Sequence, residues 1–526
     1  MLVGAGGLFP VAGVPALYSP APPTDRLDLT GAPLTLSDDP WKNPDHYNPG
    51  PVTSAPAPAP PPRPADTWKQ AWQNQVLYQI VTDRFSDGDT ANDYLVDRSR
   101  PAGWWGGDLR GVIDKLDYIK DLGATALWIS PVYENTQQLR LGEYEGTGYH
   151  GYWIHDHQKV ERHQGDLDTL KELVRQAHQR GLKVVLDVVL NHVGPDHPWV
   201  RDPRYRDWFH PEMPVRDWND PYQVENGWVL GLPDLAQENP RVYDFLLQNT
   251  LWWIRETGVD GIRLDALKHV PKEFWSRFAA DLKRQVPPDF LILGEVLHGD
   301  PQFDAPYQRA GVDALFDFPL YYTLTEVFAR DGSAEALGWR LDQDGVYPDA
   351  SKLFTFIDNH DVPRFLHEAG PGGRQKLKLA LAFLMTCRGI PTLYYGTEVG
   401  LQGGPDPDNR RLMEFGSDPE LTEWVRRLTT LRQSQPALQF GRQLEMWRDH
   451  DVYAFARQYQ NQEVVAAFNN SYSDQTRRIP LRAETVIPPG ATLRDVLSGQ
   501  RFPVRDGHLE LNLPAKSARI LVVERP

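Results

Sequence analysis

The sequence predicts an α/β chain: a parallel (β/α)8 barrel of the TIM type carrying a short insertion, followed by a small antiparallel β-sandwich. Three observations carry this expectation. From Gln75 to about residue 430, short apolar strand-like runs alternate with helix-period segments. Acidic residues stand where several of those strands end. After Leu431 the period changes to short alternating or β-branched runs separated by Asn, Pro and Gly turns.

Taken in order, residues 1–66 form a Pro/Ala-rich extension to which no fold is assigned. Met1–Ser19 is apolar but lacks a basic start, so it makes a poor signal peptide or the remnant of one. Pro51–Pro64 should be an extended linker. Val76–Thr82 reads as the first strand. Val112, Leu116, Ile119 and Leu122 follow helical spacing up to Gly123, and Thr125–Ser130 is the second strand. Leu167, Leu170, Val174 and Ala177 mark a helix stopped at Gly181, and Lys183–Val189 is the third strand. Val242–Thr257 is a helix ending at Gly258, followed by the strand Val259–Leu264. Phe290–Leu293, Ala314–Phe318, Leu353–Ile357 and Pro391–Tyr395 complete eight, the last preceded by the helix Gln375–Arg388. The barrel is expected over residues 67–440 with an insertion at 193–233, and the sandwich over 441–526, with strands at Val452–Gln458, Glu463–Phe468 and Ala518–Val523.

Composition narrows the function classes. The net charge of -16, without a basic patch, argues against nucleic acid. No apolar run is long enough to span a membrane. The single cysteine, Cys387, excludes an intramolecular disulfide and lies in an apolar run as a buried small hydrophobe. Most of the 17 Trp and 21 Tyr are explained by core packing, although flat sugar faces also stack on such rings.

The chemistry is expected where strands end. In Arg263-Leu264-Asp265 the first and third side chains share one face of a strand, and a neighbouring guanidinium favours an ionised aspartate. Asp187 leads into Asn191 and His192, Leu291–Leu293 into Glu295, and Phe354–Ile357 into Asp358, Asn359, His360 and Asp361. Acids at the C-terminal ends of several barrel strands mark the face where such barrels carry active sites. On chemistry alone two reactions stay open: glycosidic cleavage by paired carboxylates, or enolate chemistry on Mg²⁺ held by three acids. Arg263, His192 and His360 argue against the metal cage, because cations compete with a metal for the same carboxylates.

These residues resemble a known family. Asp187-Val-Val-Leu-Asn-His192, Gly261-Ile-Arg-Leu-Asp265, Gly294-Glu295-Val296 and Phe356-Ile-Asp-Asn-His-Asp361 are similar to the signature segments of the α-amylase family, glycoside hydrolase family 13. Gly123–Val132, Leu232-Pro-Asp234-Leu235, Gly389–Gly396 and Asp406-Pro-Asp-Asn-Arg410 extend the resemblance from about Gln75 to Pro526, and their joint order is highly specific. Gln75–Asp108 and Tyr149–Trp153 look most like cyclodextrin glycosyltransferases and the bacterial α-amylases close to them. The resemblance implies a nucleophile at Asp265, an acid/base at Glu295 and a transition-state-stabilising carboxylate at Asp361. It implies that Arg263 orients Asp265, that His192 and His360 bond the same sugar and that Tyr152 stacks on it. Asp406 and Arg410 would bind on the donor side, Lys268 and His269 on the leaving-group side. Retention would follow, with the two carboxyls about 5–5.5 Å apart.

Calcium is the implied ion. Asp87, Asp89, Asn92, Asp93 and Asp108 cluster oxygen ligands, which by themselves read as an Asx-rich turn; the resemblance implies a Ca²⁺ site there with the Gly106 carbonyl. A second site is implied by Asn191, Asp234 and the His269 carbonyl.

Departures from the resemblance select the activity. Cyclising members carry an aromatic four residues before the position of Asp234 and another two beyond the acid/base; here these are Leu230 and Leu297. The insertion is short, the further C-terminal domains of cyclising enzymes are absent, and a Pro/Ala-rich tail cannot replace the N-terminal domain through which cyclomaltodextrinases and maltogenic amylases dimerise. The expectation is an extracellular, monomeric α-amylase acting inside α-1,4-glucans. Cyclomaltodextrinase or glucanotransferase activity is the alternative, and a non-catalytic glycan binder a remote one.

Overall fold

The computed structural model describes residues 67–141 and 144–524, so the expectations for residues 1–66 lie outside the described residues. Eight parallel strands form the barrel: β1 (Leu77–Ile80), β2 (Ala126–Ile129), β3 (Lys183–Val188), β4 (Gly261–Leu264), β5 (Leu291–Gly294), β6 (Ala314–Leu315), β7 (Phe354–Thr355) and β8 (Ile390–Tyr394). They run in the order β6-β5-β4-β3-β2-β1-β8-β7, and a single parallel bridge from Phe316 to Phe354 closes the ring. Among the described residues no helix is long and apolar enough to cross a membrane.

The strands are buried on both faces, and their period of two decides what enters the barrel. Leu77, Ala126, Val185, Leu291 and Ile390 form one apolar cluster with Trp68 and Trp72. Those tryptophans belong to α1 (Thr67–Trp72), and Trp72 Nε1 donates to the Asp289 carbonyl at 2.7 Å. The short helix therefore stoppers the N-terminal end of the barrel with two aromatic rings. Further along three of the strands the same inward face turns polar: Gln79 lies two residues beyond Leu77, Asp187 two beyond Val185, and Glu295 two beyond Leu293. A dry plug at one end and polar groups at the other is what places the site at the C-terminal mouth.

Several elements differ from expectation. The helix read through Val112–Leu122 is two short helices, Leu109–Asp114 and Leu116–Asp121, broken at Lys115, whose backbone leaves the helical region (φ -105, ψ 4). Each half is buried by its own leucine and isoleucine, so the spacing survives the break and hides it. The strand expected at Ala314–Phe318 is only β6, because Asp317 turns to cap the helix Phe318–Leu324 through the Leu320 amide. The insertion at 193–233 holds short helices at Pro198–Arg201 and Pro221–Asn226, and is anchored by Trp199, which stacks on Tyr205 and on His157.

From Arg442 eight antiparallel strands follow around their own apolar cluster, including Val465, Leu493, Leu509 and Leu521. One buried arginine of this unit, Arg457, ties it to the barrel, beside a second, Arg432, that belongs to the helix Pro419–Ser434. Arg457 donates to the carbonyls of Thr386 (2.8 Å) and Cys387 (2.6 Å), and Arg432 to those of Met385 (3.1 Å) and Gly389 (2.6 Å). The preceding helix, Gly373–Thr386, leaves exactly such carbonyls without partners at its C-terminus, where cations are favoured. Cys387 is buried beside them, as its apolar run implies.

Candidate active site

Register and strand period assemble the centre. β3 and β4 pair so that Asp187 lies beside Arg263, and β4 and β5 so that Arg263 lies beside Leu293. Asp265 then follows β4 and Glu295 follows β5, one step further toward the mouth. Arg263 is buried and addresses all three acids. Its Nη1 donates to Asp187 Oδ1 (2.9 Å) and Asp265 Oδ1 (2.6 Å), and its Nη2 to Glu295 Oε2 (3.1 Å). One guanidinium thus gathers the two carboxyls after β4 and β5 into one small centre. Ala266, with φ 53, turns the chain so that its amide also donates to Glu295 Oε2 at 2.8 Å.

The electrostatics follow from crowding. Burial raises the pKa of Asp265 well above the ordinary range, Arg263 opposes this, and repulsion from Glu295, Asp187 and Asp361 adds to it. Burial likewise raises Glu295, with Arg263 opposing and Asp361 reinforcing. Two buried carboxyls beside one cation resist carrying both negative charges at once, so their titrations are linked. The closer Arg263 contact, 2.6 Å to Asp265 against 3.1 Å to Glu295, favours the charge on Asp265.

Asp361 follows β7, with Arg410 Nη2 3.3 Å from its Oδ1 and His360 Nε2 3.3 Å from its Oδ2. Arg410 also reaches Asp406, which is half exposed on the rim (3.2 Å). Tyr152 donates to Asp187 Oδ2 (2.9 Å) and contacts His360 Nε2 (2.7 Å). His192 lies beside it, with Nε2 3.1 Å from the Tyr152 carbonyl. On the opposite side Lys268 donates to the Leu297 carbonyl (3.0 Å), and His269 Nδ1 contacts the Val224 carbonyl (2.9 Å). All eleven expected catalytic and substrate-binding residues therefore lie on the barrel mouth or its loops, around Arg263 and Asp361.

Sequence reasoning passed over four residues here. Gln79 and Trp128 lie beneath the centre and bond His360 and Asp187 respectively. A glutamine in an otherwise apolar inner strand was the available signal for the first. Trp218 is 46% exposed in the insertion, with Lys268 Nζ 5.6 Å from its ring, and Tyr322, 43% exposed, feels both Glu295 and Asp304. Nothing in the spacing of either ring pointed to the mouth.

The two oxygen clusters offer donors suited to a hard cation. Asp87 Oδ1, Asn92 Oδ1 and Asp93 Oδ1 are buried without a hydrogen-bond partner, a costly state that a cation relieves. A side chain at Gly106, which has φ +91, would come within 2.6 Å of Asp93 Oδ1. Asp108 and Asp89 are occupied differently. Asp108 accepts from the amides of Gly88, Asp89 and Gly111 and from Asn92 Nδ2, and Asp89 caps Ala91. Among the described residues no three His, Cys, Asp or Glu side chains alone form a metal cage, so a cation here depends on amide and carbonyl oxygens as well. At the second cluster the Asn191 amide lies 2.9 Å from the His269 carbonyl and 3.1 Å from Asp234 Oδ1. Turned one way, its NH₂ satisfies both; turned the other, three oxygens converge as Ca²⁺ ligands do. Burial pushes Asp234 up to about 7, with His210 opposing at 2.6 Å, and a cation would act in the same sense as His210. Both donor sets fit.

Comparison with known proteins adds the following. A family model described as "Alpha amylase, catalytic domain" matches residues 79–482, and "Cyclo-malto-dextrinase C-terminal domain" matches 448–522. The chain is 39% identical to "Beta/alpha-amylase" of Paenibacillus polymyxa over 85% of its own length, but spans only 38% of that relative. It is 34% identical to "Neopullulanase 2" of Thermoactinomyces vulgaris, covering 85% of this chain and 77% of the other. Among solved structures, an Anoxybacillus α-amylase is 44% identical with a TM-score of 0.81, covering 86% of this chain and 99% of that one. The α-amylase of Geobacillus thermoleovorans, complexed with acarbose, is 41% identical with a TM-score of 0.79 over the same shares.

Proposed function

The chain belongs to the α-amylase family, glycoside hydrolase family 13, whose members act on α-glucans, and from that premise we propose that it is an α-amylase cleaving α-1,4-glucosidic bonds inside starch and maltodextrins. The observation that carries the reading is Arg263 bridging Asp265 and Glu295, with Asp361 across the mouth. Asp265 attacks the anomeric carbon while Glu295 protonates the leaving oxygen, giving a covalent glycosyl-enzyme. Glu295 then takes a proton from the water that releases the sugar. Asp361, held by Arg410, accepts hydrogen bonds from the sugar hydroxyls and stabilises the positive charge that develops on the ring. The two solved α-amylases are 44% and 41% identical to this chain, against 32% for a solved cyclomaltodextrin glucanotransferase that shares the same span, and this supports hydrolysis. So does the aliphatic Leu230, 67% exposed, in place of a ring that would hold a sugar acceptor.

One observation favours a second reading, in which a sugar replaces water or a cyclic glucan is the substrate. Trp218 offers an exposed ring near Lys268, and relatives named cyclomaltodextrinase and cyclomaltodextrin glucanotransferase are 35% and 30% identical. A chromatographic time course on maltoheptaose, soluble starch and β-cyclodextrin separates the two. Short maltooligosaccharides from starch, with cyclodextrin nearly untouched, are expected. Rapid ring opening would reassign the protein to cyclomaltodextrinase, and products longer than maltoheptaose to a transferase.

Calcium is proposed at both oxygen clusters, held by Asp87, Asn92 and Asp93 with the Gly106 carbonyl, and by Asn191, Asp234 and the His269 carbonyl. Asp89 and Asp108 shape the first loop from behind. A bound Ca²⁺ would supply charge compensation that orders these loops. Chelation is expected to lower the melting temperature by about 5–10 °C, with recovery on adding Ca²⁺ but not Mg²⁺. An unchanged melting curve, together with no heat of Ca²⁺ binding by calorimetry, would remove the ion from this account.

A further inference from the structure

Gln79 touches none of the carboxyls, yet it closes a chain of hydrogen bonds whose directions are all determined. Asp187 is fully buried and accepts from Trp128 Nε1 (3.0 Å) and from Arg263 Nη1 (2.9 Å), donors that cannot do otherwise. Tyr152 has one proton, and its hydroxyl spends it on Asp187 Oδ2 at 2.9 Å. Tyr152 can therefore only accept from His360 Nε2, 2.7 Å away. The other neighbour of Nε2 is Asp361 Oδ2 at 3.3 Å, also an acceptor. Both place the proton of His360 on Nε2. A neutral imidazole then has a bare Nδ1, and that atom lies 2.6 Å from Gln79 Nε2.

The amide of Gln79 is oriented for this purpose at a cost to itself. Its Oε1 is buried with no partner. Turning the amide over would satisfy Oε1 only if Nδ1 also carried a proton. His360 would then be a cation, buried between Arg263 and Arg410, both of which oppose that charge.

We propose that Gln79 is a positioning residue that fixes His360 as the neutral Nε2–H tautomer, with that N–H directed at Asp361 and the sugar hydroxyls beside it. An amide is required at position 79: a carboxylate would draw a proton onto Nδ1, and an aliphatic residue would leave Nδ1 without a donor. The catalytic consequence rests on the reading of His360 and Asp361 as the groups that hold the sugar at the point of cleavage; the tautomer itself does not.

The test uses the full-length chain with ¹⁵N-labelled histidine, the His360 signals being identified with a His360→Gln control. The wild-type spectrum is expected to show a bare Nδ1 and a protonated Nε2. Gln79→Glu, which keeps the shape of the side chain, is expected to show both nitrogens protonated and a kcat on maltoheptaose lower by roughly ten- to hundredfold, KM moving less. Gln79→Leu is expected to show a mixture of tautomers. A merely structural glutamine would tolerate its isostere. A wild-type proton on Nδ1, or a Gln79→Glu enzyme with the wild-type spectrum and kcat, would overturn the proposal. The wild-type spectrum decides even if a variant fails to fold, and it fails separately from any failure of the α-amylase reading in the product assay.

Discussion

Asp265→Asn is expected to lower kcat on maltoheptaose by about 10⁴-fold or more at every pH, because it removes the atom that bonds to the anomeric carbon. The substitution keeps the size of the side chain, and Arg263 retains Asp187 at 2.9 Å and Glu295 at 3.1 Å, so the site should stay folded and still bind maltooligosaccharide. An equal thermal melting curve and a normal dissociation constant would establish that. A fluorinated glucosyl fluoride that traps the intermediate is expected to add one sugar to the peptide carrying Asp265 in the wild type and none in the variant. Label on another peptide, or a variant within tenfold of wild type, would move the nucleophile elsewhere. The prediction is so large because only Asp265 forms the bond: Arg263 orients it, Glu295 moves the proton and Asp361 stabilises the developing charge.

Which parts of this centre were legible in the sequence depends on how far apart their causes lie. The Arg263–Asp265 contact follows from the period of two along a single strand, so three consecutive residues contain it. Placement of Glu295 and Asp361 at the same mouth follows from parallel strands all ending on one side. The direction of a hydrogen bond in the chain from Gln79 to Asp187 depends on four strands and two loops, and no local pattern encodes it. Trp218 was hidden for the same reason, since its ring reaches Lys268 across the insertion. In the Asp87–Asp108 stretch, an aspartate that accepts backbone amides and one with an unpartnered oxygen look alike in sequence; only the hydrogen-bond partners met in the fold separate Asp108 from Asp93. The break at Lys115 was invisible because helical spacing constrains which side chains are buried, not whether the backbone between them is continuous.

Glu295→Gln should divide substrates by their leaving groups, which is a stronger test than loss of activity alone. A sugar alkoxide cannot leave unprotonated, so hydrolysis of maltoheptaose is expected to fall by about 10²–10⁴-fold. An aryl maltoside with an acidic phenol leaves without help, and its first step should lose far less. The intermediate would then accumulate, because the same residue is needed to deprotonate water, and azide, which needs no base, should restore turnover. The pH profile carries the sign of the argument. An acid must be protonated to act, so wild-type activity falls as pH rises through the pKa of Glu295, and burial displaces that limb upward from the ordinary carboxylate range. In Glu295→Gln with the aryl substrate the alkaline limb should disappear, while the acidic limb, set by ionisation of Asp265, stays. Equal losses on both substrates, with no azide rescue, would mean that Glu295 supports the site without transferring a proton, and the acid would have to be sought among the other groups that face the same bond.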